Sequence, residues 1–270
     1  MSHPLCLAHL SLIELSPPDM VSAAAAAGFD LVSLRLAPAT AGEPQHPMIG
    51  DTPMMRETLA RLQTLGVAVH DVELVRLNAD ADIGACEPFM EAAARLNARQ
   101  VLVAGDGEDE SLMADRFCAL AELGGRHGLR LGLEFMPWRG IRNLASAARV
   151  IRAAGTGGVI VDAIHLDRSG GSAADLVSLR PEQWAFFQIC DAPAQRPATE
   201  EELLFQARRA RLPPGHGGLD LTGMLRALPP DIVVSIEVPL HAQPDLLPPI
   251  PRACLLREAT QLLMAAAHVG

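Results

Sequence analysis

The chain has 270 residues, a formal net charge of -10, and 49% hydrophobic and 20% charged residues. This size and composition are typical of one large globular domain, and they exclude a disordered or fibrous protein. The negative charge and the 3% aromatic content do not favour contact with phosphate backbones or stacking on bases, so we expect no nucleic-acid partner.

The sequence also gives no sign of export or of a membrane partner. Its first residues, MSHPLCLAHL, lack the basic region and long apolar core of a signal peptide. No apolar run approaches the roughly 18 to 20 residues that span a bilayer. The five cysteines are widely spaced and form no CxxC pair, which suits a reducing compartment. We therefore expect a cytoplasmic protein.

Short apolar runs alternate with longer amphipathic or Ala-rich segments along the chain. The runs rich in Leu, Val and Ile are predicted strands, which in chain order read LCLAHL, DLVSLRL, VAVHDVEL, QVLVAGD, RLGLEFM, GVIVDAI, AFFQICD and DIVVSIEV. The predicted helices have apolar residues at a spacing of three and four, and they read PPDMVSAAAAAGF, TPMMRETLARLQTLG, EPFMEAAARLNA, ESLMADRFCALAELGGRHG, NLASAARVIRAAG and LTGMLRALP. Several helices end at a glycine, as in TLGV and RHGL.

This alternation predicts a parallel sheet, and eight strand-helix units are the number that closes into a barrel. We therefore predict an α/β fold with a single (β/α)8 TIM barrel domain over residues 1–270, a parallel eight-stranded barrel with outer helices. A doubly wound open sheet is the alternative, but no GxGxxG motif follows the first strand. Two stretches, LAPATAGEPQHP and DAPAQRPATEEELLFQARRARLPPGHGG, are predicted to be long functional loops after strands two and seven.

Polar residues occur late in four consecutive predicted strands. Strands five to eight carry, in this order, Glu134, Asp162, Gln188 and Glu237. In a barrel these strand ends meet at one face, where three carboxylates repel each other unless a cation lies between them. We therefore predict a divalent metal site, and its oxygen donors suit Mn²⁺, Mg²⁺ or Co²⁺ better than structural zinc.

The segments VDAIHLDRSG, FFQICDAP, RLPPGHGGLD and SIEVP resemble the xylose isomerase-like TIM barrels. This superfamily contains sugar and inositol epimerases, hydroxypyruvate isomerase, inosose and dehydroshikimate dehydratases and apurinic endonucleases. The resemblance covers nearly the whole chain and implies metal ligation by Glu134, Asp162, Gln188 and Glu237. Gln188 stands where the family usually has His, and an amide oxygen favours Mg²⁺ or Mn²⁺, with Co²⁺ and Zn²⁺ as further candidates.

The resemblance also implies two substrate contacts. His165, three residues after Asp162, matches a family histidine that faces the substrate, and Arg211 in RLPPGHG matches an arginine that contacts substrate oxygens. Two further candidates come from the residues themselves. Glu73, at the end of HDVEL, and His9, at the end of LAHL, are predicted to lie at the barrel rim and bind substrate. Either residue is alternatively an additional acid or base, and His9 is alternatively only a partner of Glu73.

Other polar residues near these motifs receive lesser roles. Trp138 and Arg139 in EFMPWRG are expected to shape the pocket wall. Arg208 and Arg209 are expected to be solvated loop residues. Cys190 has no adjacent histidine in the sequence, so it is predicted to be a packing residue and not a nucleophile.

The predicted function is that of a divalent-metal-dependent isomerase or epimerase of a ketose, sugar or polyol-derived hydroxy-ketone. Glu134 and Glu237 would remove and return a proton on opposite substrate faces, through an enediolate. The alternative is a metal-dependent dehydratase of the inosose or dehydroshikimate type, because the same enolate beside a β-hydroxyl expels water. A non-catalytic binding barrel is a third candidate. We expect a small sugar or polyol as partner, and the sequence leaves a homodimer open.

Overall fold

The computed structural model describes residues 3–40, 42–243 and 245–269, and these form a closed barrel of eight parallel strands in chain order. The strands are β1 (Leu5–Leu7), β2 (Leu31–Arg35), β3 (Ala68–Leu77), β4 (Gln100–Gly105), β5 (Arg130–Glu134), β6 (Gly158–Asp162), β7 (Trp184–Ile189) and β8 (Val234–Ile236). Each strand pairs with the next, and β8 closes the ring against β1, with Cys6 opposite Ser235. The predicted (β/α)8 barrel is confirmed.

Nine helices surround the strands in the described ranges. They are α1 (Pro17–Ala26), α2 (Pro53–Leu65), α3 (Glu87–Arg95), α4 (Glu110–Arg126), α5 (Leu144–Ala154), α6 (Ala163–Arg168), α7 (Glu200–Arg209), α8 (Leu221–Ala227) and α9 (Pro249–Val269). The predicted glycine stops are confirmed at Gly66 after α2 and at Gly128 after α4, where φ is 69° and 73°. None of the described helices is long and apolar enough to cross a membrane.

Three helices differ from the sequence-based expectation. Helix α6 has only six residues, which is too short for a hydrophobic period to be visible. Helix α7 lies inside the stretch that was predicted to be a loop, and Thr199 and Glu202 begin it with a reciprocal capping box. Helix α9 was not predicted. The loop after β2 is confirmed for its described residues, but Ala41 lies outside them.

A compact apolar cluster supports the end of the barrel where the polar strand ends lie. It consists of Leu74, Leu102, Ala104, Met136, Ile160, Ala185 and Phe186. Three of these side chains, Leu74, Leu102 and Met136, also line the pocket described below. Close packing of this kind fixes the backbone positions of the neighbouring strand ends. The strands that carry the polar side chains of the site are therefore held in position by this apolar packing.

Candidate active site

The four predicted strand-end residues lie at the same end of the barrel. Glu134 ends β5, Asp162 ends β6, Gln188 is the last but one residue of β7, and Glu237 directly follows β8. Asp162 and Gln188 are opposite each other in the register of β6 and β7. All four residues are buried, and none of them is more than 3% exposed.

A histidine joins two of these carboxylates. Glu134, Asp162 and His165 each offer one potential ligand atom, and these atoms lie within 4.8 Å of one another. His165 is the third residue of α6, and its Nε2 is 3.6 Å from Oε1 of Glu134. The sequence-based interpretation assigned His165 to the substrate only. The structure therefore adds an imidazole to the groups that are close enough to hold a cation.

Asp162 is fixed by hydrogen bonds to both of its carboxylate oxygens. Its Oδ1 accepts hydrogen bonds from the backbone N–H groups of Ile164 and His165, at 2.8 and 3.3 Å, and thereby begins α6. Its Oδ2 accepts one from Nη1 of Arg211 at 2.6 Å. Burial alone would raise the pKa of Asp162, but Arg211, His165 and these hydrogen bonds hold it below its ordinary value. Asp162 is therefore ionised.

Arg211 is buried, with 2% of its surface exposed. Its Nη1 donates to Asp162, and its Nη2 lies 3.0 Å from Oε2 of Glu237. Its Nε donates to the carbonyl of Ala207 at 2.7 Å. This guanidinium joins the ends of β6 and β8. Nη1 also lies 3.4 Å from Sγ of Cys190, whose thiol pKa is raised by burial, so that this thiol stays protonated.

For Glu134 and Glu237, burial is the largest influence on the pKa of the carboxyl group. Burial, together with the charges of Glu237 and Asp162, raises the pKa of Glu134 well above its usual range. Burial raises the pKa of Glu237 to about 8, although Arg211 lowers it. Gln188 donates through Nε2 to Oε1 of Glu237 at 3.1 Å. A bound cation would reverse the effect of burial, because positive charge favours ionised carboxylates.

The residues of the site fit a divalent cation. Oε1 of Gln188 is buried and has no hydrogen-bond partner among the described residues, although buried polar atoms normally have one. The carboxyl groups of Glu134 and Glu237 are held in a cluster that raises their pKa values, as expected for ligands without their ion. Carboxylate and amide oxygens are the donors that hard divalent cations prefer.

A narrow pocket of about 60 Å³ opens over these groups. Its walls contain the side chains of Leu10, Arg35, Glu43, Glu134, Trp138, Arg139, His165, Arg208, Arg211 and Glu237. The expected position of Trp138 and Arg139 at the pocket wall is thus confirmed. A wider outer pocket of about 450 Å³ shares Leu10, Glu43 and Arg208 with it. These three residues therefore line both pockets.

Glu73 does not lie at the predicted rim position. Strand β3 continues to Leu77, so Glu73 is inside the strand and fully buried. It accepts hydrogen bonds from Ser33 Oγ at 2.6 Å and from Arg35 Nε at 2.9 Å. Burial opposes its ionisation, but Arg35 and Ser33 hold the pKa of Glu73 below its usual value. Its role in substrate binding stays a prediction, and these contacts do not support it.

His9 also differs from its predicted place at the end of a strand. It begins a 3₁₀ turn, His9–Leu12, that follows β1. Its Nδ1 accepts a hydrogen bond from the backbone N–H of Arg35 at 2.9 Å, and its Nε2 donates to the carbonyl of Leu15 at 3.0 Å. Burial lowers the pKa of His9 to about 4. Both ring nitrogens are occupied by the protein, which gives no support to the predicted substrate contact.

Two arginines of the pocket differ from the sequence-based prediction. Arg35 was not predicted as a site residue, and Arg208 was predicted to lie in a solvated loop. Arg35 ends β2, and the rule that identified Glu134 at the end of β5 would also have found it. The expectation that Arg208 and Arg209 are loop residues is wrong, since both lie on α7, and of the two only Arg209 is exposed. Arg208 is half-buried, and its guanidinium carbon is 5.9 Å from the ring centroid of Trp138. The position of Arg208 at the pocket depends on helix α7, and this helix was not predicted from the sequence.

Two curated relatives resemble parts of the chain, and both are named 3-dehydroshikimate dehydratase. The protein from Pseudomonas aeruginosa is 34% identical over 127 residues, which are 46% of this chain and 19% of that protein. The protein from Pseudomonas putida is 26% identical over 223 residues, which are 77% of this chain and 33% of that protein. The chain thus spans a third or less of the length of these relatives.

Solved structures with similar folds cover almost the whole chain. A fusion protein of a xylose isomerase-like TIM barrel and a 4-hydroxyphenylpyruvate dioxygenase has a TM-score of 0.82 at 22% identity, over 100% of this chain and 44% of that chain. A protein named IolI, solved with a zinc atom, has a TM-score of 0.79 at 16% identity, over 98% and 99%. An L-ribulose 3-epimerase has a TM-score of 0.72 at 14% identity, over 99% and 96%.

At these identities the structural likeness shows the fold alone. The family is shown by the sequence model described as xylose isomerase-like TIM barrel, which matches residues 21–265. This match includes every strand-end residue of the site, from Glu134 to Glu237. The chain belongs to the xylose isomerase-like TIM barrel family.

Proposed function

We propose that this chain is a divalent-metal-dependent dehydratase that removes water from a hydroxylated cyclic ketone of the 3-dehydroshikimate type. The observation that carries the proposal is the position of His165, the one histidine among the described residues that line the inner pocket. Burial lowers the pKa of His165 to about 4, so its imidazole is uncharged at neutral pH. Its Nε2 stands 3.6 Å from Glu134, which is beyond ordinary hydrogen-bond distance. The match to a dehydratase over 77% of the chain supports the same conclusion.

One base suffices for loss of water, because the proton taken from carbon is returned to the departing hydroxyl. Epimerisation needs a second proton-transfer group on the opposite face of the substrate. Glu237, the residue predicted for that role, is held by Arg211 and by Gln188. The structure therefore favours elimination. Isomerisation or epimerisation, the first prediction from the sequence, stays an untested prediction, and it starts from the same proton removal.

The metal would be held by the oxygens of Glu134, Asp162, Gln188 and Glu237. When bound, it supplies positive charge beside the substrate carbonyl oxygen, which makes the adjacent carbon-bound proton more acidic. Mn²⁺ and Mg²⁺ suit this oxygen set, and IolI, a neighbour in fold, was solved with a zinc atom. Arg211 keeps two of these carboxylates in position through its ion pairs.

His165 then moves one proton. Its Nε2 takes the proton from the carbon between the carbonyl and the carbon that bears the leaving hydroxyl. The electron pair of the broken C–H bond forms the new C=C bond, and the C–O bond of the hydroxyl breaks. The nearby charge of Asp162 stabilises the imidazolium, which returns the proton to the departing oxygen. Water leaves and His165 is neutral again. The ring of Trp138 packs nearly at a right angle to that of His165, with ring centroids 5.0 Å apart.

Removal of metal tests the proposal. We expect dialysis against a chelator to lower the conversion of 3-dehydroshikimate by at least about 100-fold, because the remaining groups cannot stabilise the developing negative charge. Added Mn²⁺ or Mg²⁺ should restore the rate. Loss of water leaves a cyclic dienone, which becomes an aromatic dihydroxybenzoate when a ring CH₂ proton is lost to solvent and the carbonyl oxygen is protonated. The near-ultraviolet absorbance of this product reports conversion. An unchanged rate in protein that elemental analysis finds free of divalent metal would refute the metal requirement.

A further inference from the structure

Four arginines line the pocket, and one of them has no carboxylate partner. Arg35, Arg139 and Arg211 each form an ion pair with a buried or half-buried carboxylate. For Arg208, no carboxylate of the described chain lies within ion-pair distance of the guanidinium. Burial and the neighbouring Arg139 lower the pKa of Arg208. The charge of Glu43 raises the pKa of Arg208, but Glu43 forms its ion pair with Arg35, so Arg208 has no direct carboxylate partner among the described residues.

Two further donors beside Arg208 have no acceptor. Nε1 of Trp138 and Nε of Arg139 are buried and make no hydrogen bond to any described residue. Arg139 is 8% exposed, and its Nη1 is engaged by Asp106, which leaves Nε free. Buried donors normally have an acceptor, so these two N–H groups are open to an acceptor from outside the chain.

These donors lie next to the reactive imidazole. The ring of Trp138 has its centroid 5.0 Å from the ring of His165 and 5.9 Å from the guanidinium carbon of Arg208. Arg208 lines both pockets and His165 lines the inner one, so a ligand in the inner pocket has both residues at its wall.

We propose that Arg208, Arg139 and Trp138 form a subsite for the carboxylate of the substrate. A carboxylate offers two oxygens with about four lone-pair positions, which match the guanidinium and indole N–H donors. The inference rests on the proposed function. In 3-dehydroshikimate the carbon that loses its proton lies across the ring from the carboxyl-bearing carbon. A carboxylate held at Arg208 therefore leaves the reacting carbon on the side of His165.

The test compares an anionic ligand with its neutral analogue. The two probes are 3,4-dihydroxybenzoate and catechol, which share the two hydroxyl groups and differ in the carboxylate. Calorimetry on the Mg²⁺-loaded protein gives both affinities. We expect Arg208→Gln to weaken binding of 3,4-dihydroxybenzoate by about 10- to 100-fold, since it removes a charged hydrogen-bond donor, and to leave catechol binding nearly unchanged.

Two variants control for charge and for folding. Arg152→Gln removes the same charge from an exposed position of α5 that lines neither pocket, and should leave both affinities unchanged. Arg208→Lys should restore part of the binding, because it returns the charge but not the planar fork. Inorganic phosphate is the competing anion. If phosphate displaces 3,4-dihydroxybenzoate at a similar concentration, the subsite selects phosphate, and the proposal is overturned.

The subsite proposal also fails if Arg208→Gln weakens the binding of 3,4-dihydroxybenzoate and catechol by the same factor, or if it changes the binding of neither probe. Binding and turnover separate this proposal from the proposed function. A wild-type protein that binds 3,4-dihydroxybenzoate through Arg208 but does not convert 3-dehydroshikimate would retain the carboxylate subsite and refute the dehydratase. If the wild-type protein converts 3-dehydroshikimate and Arg208→Gln has the same KM, the carboxylate subsite is refuted and the dehydratase proposal is not.

Discussion

Replacement of Glu134 by glutamine is expected to lower turnover of 3-dehydroshikimate by about 10²- to 10⁴-fold. Glu134 ends β5, lies in the group of three potential ligands and lines the pocket. Glutamine keeps the shape and one oxygen but removes the negative charge. We therefore also expect calorimetry to show Mn²⁺ affinity at least about tenfold weaker than in the wild type.

The same substitution should not destabilise the metal-free protein. Burial and two neighbouring carboxyl groups already disfavour a charge at Glu134, so the neutral amide relieves repulsion. Urea unfolding of the metal-free variant should give a free energy of unfolding equal to or above that of the wild type. Glu91→Gln, at an exposed position of α3, is the matched control. If Glu134→Gln binds Mn²⁺ as tightly as the wild type does, Glu134 is not a metal ligand.

His165→Asn is expected to lower turnover by a similar factor, about 10²- to 10⁴-fold, but for a different reason. It removes the group that moves the proton and leaves the four strand-end oxygens in place. Mn²⁺ affinity should therefore stay within about threefold of the wild type, well short of the loss expected for a removed ligand. Steady-state rates and calorimetry on the same sample give both values.

The result for His165 decides between two interpretations of the cluster. The ligand atoms of Glu134, Asp162 and His165 are close enough for a three-residue metal site. If His165→Asn loses as much Mn²⁺ affinity as Glu134→Gln, then His165 is a ligand, and the assignment of proton transfer to it is wrong. His216→Asn, at an exposed position of the GHGG turn, is the control for a change of histidine to asparagine.

Much of the fold was predictable because each strand is buried on both faces. Such strands appear as continuous apolar runs, and GVIV and QVLVAG are visible without any structure. Helix α7 was hidden by its composition, since its sequence EEELLFQARR is mostly charged or polar and buries only Ala207. The capping pair Thr199 and Glu202 was the available signal.

The rule that polar residues at the ends of parallel strands meet at one face identified the candidate metal ligands. It did not identify the residues that hold these ligands in position. Glu134, Asp162, Gln188 and Glu237 were predicted because parallel strands bring their ends together. The rule failed for Glu73, since the sequence did not reveal that β3 continues beyond it. Ion pairs between distant segments were also invisible. Arg211 joins groups that lie 49 residues away at Asp162 and 26 away at Glu237, and no local pattern encodes such pairing.

A proton NMR time course of 3-dehydroshikimate in D₂O, with Mn²⁺-free, Mg²⁺-loaded protein, tests the central claim most directly. The dehydratase account predicts that the substrate signals disappear as the aromatic signals of dihydroxybenzoate appear, with one product formed per substrate lost. The chelator-treated protein should show neither change. Deuterium incorporation into a substrate that keeps its hydroxyl, without aromatic product, would contradict the account and favour the isomerase or epimerase.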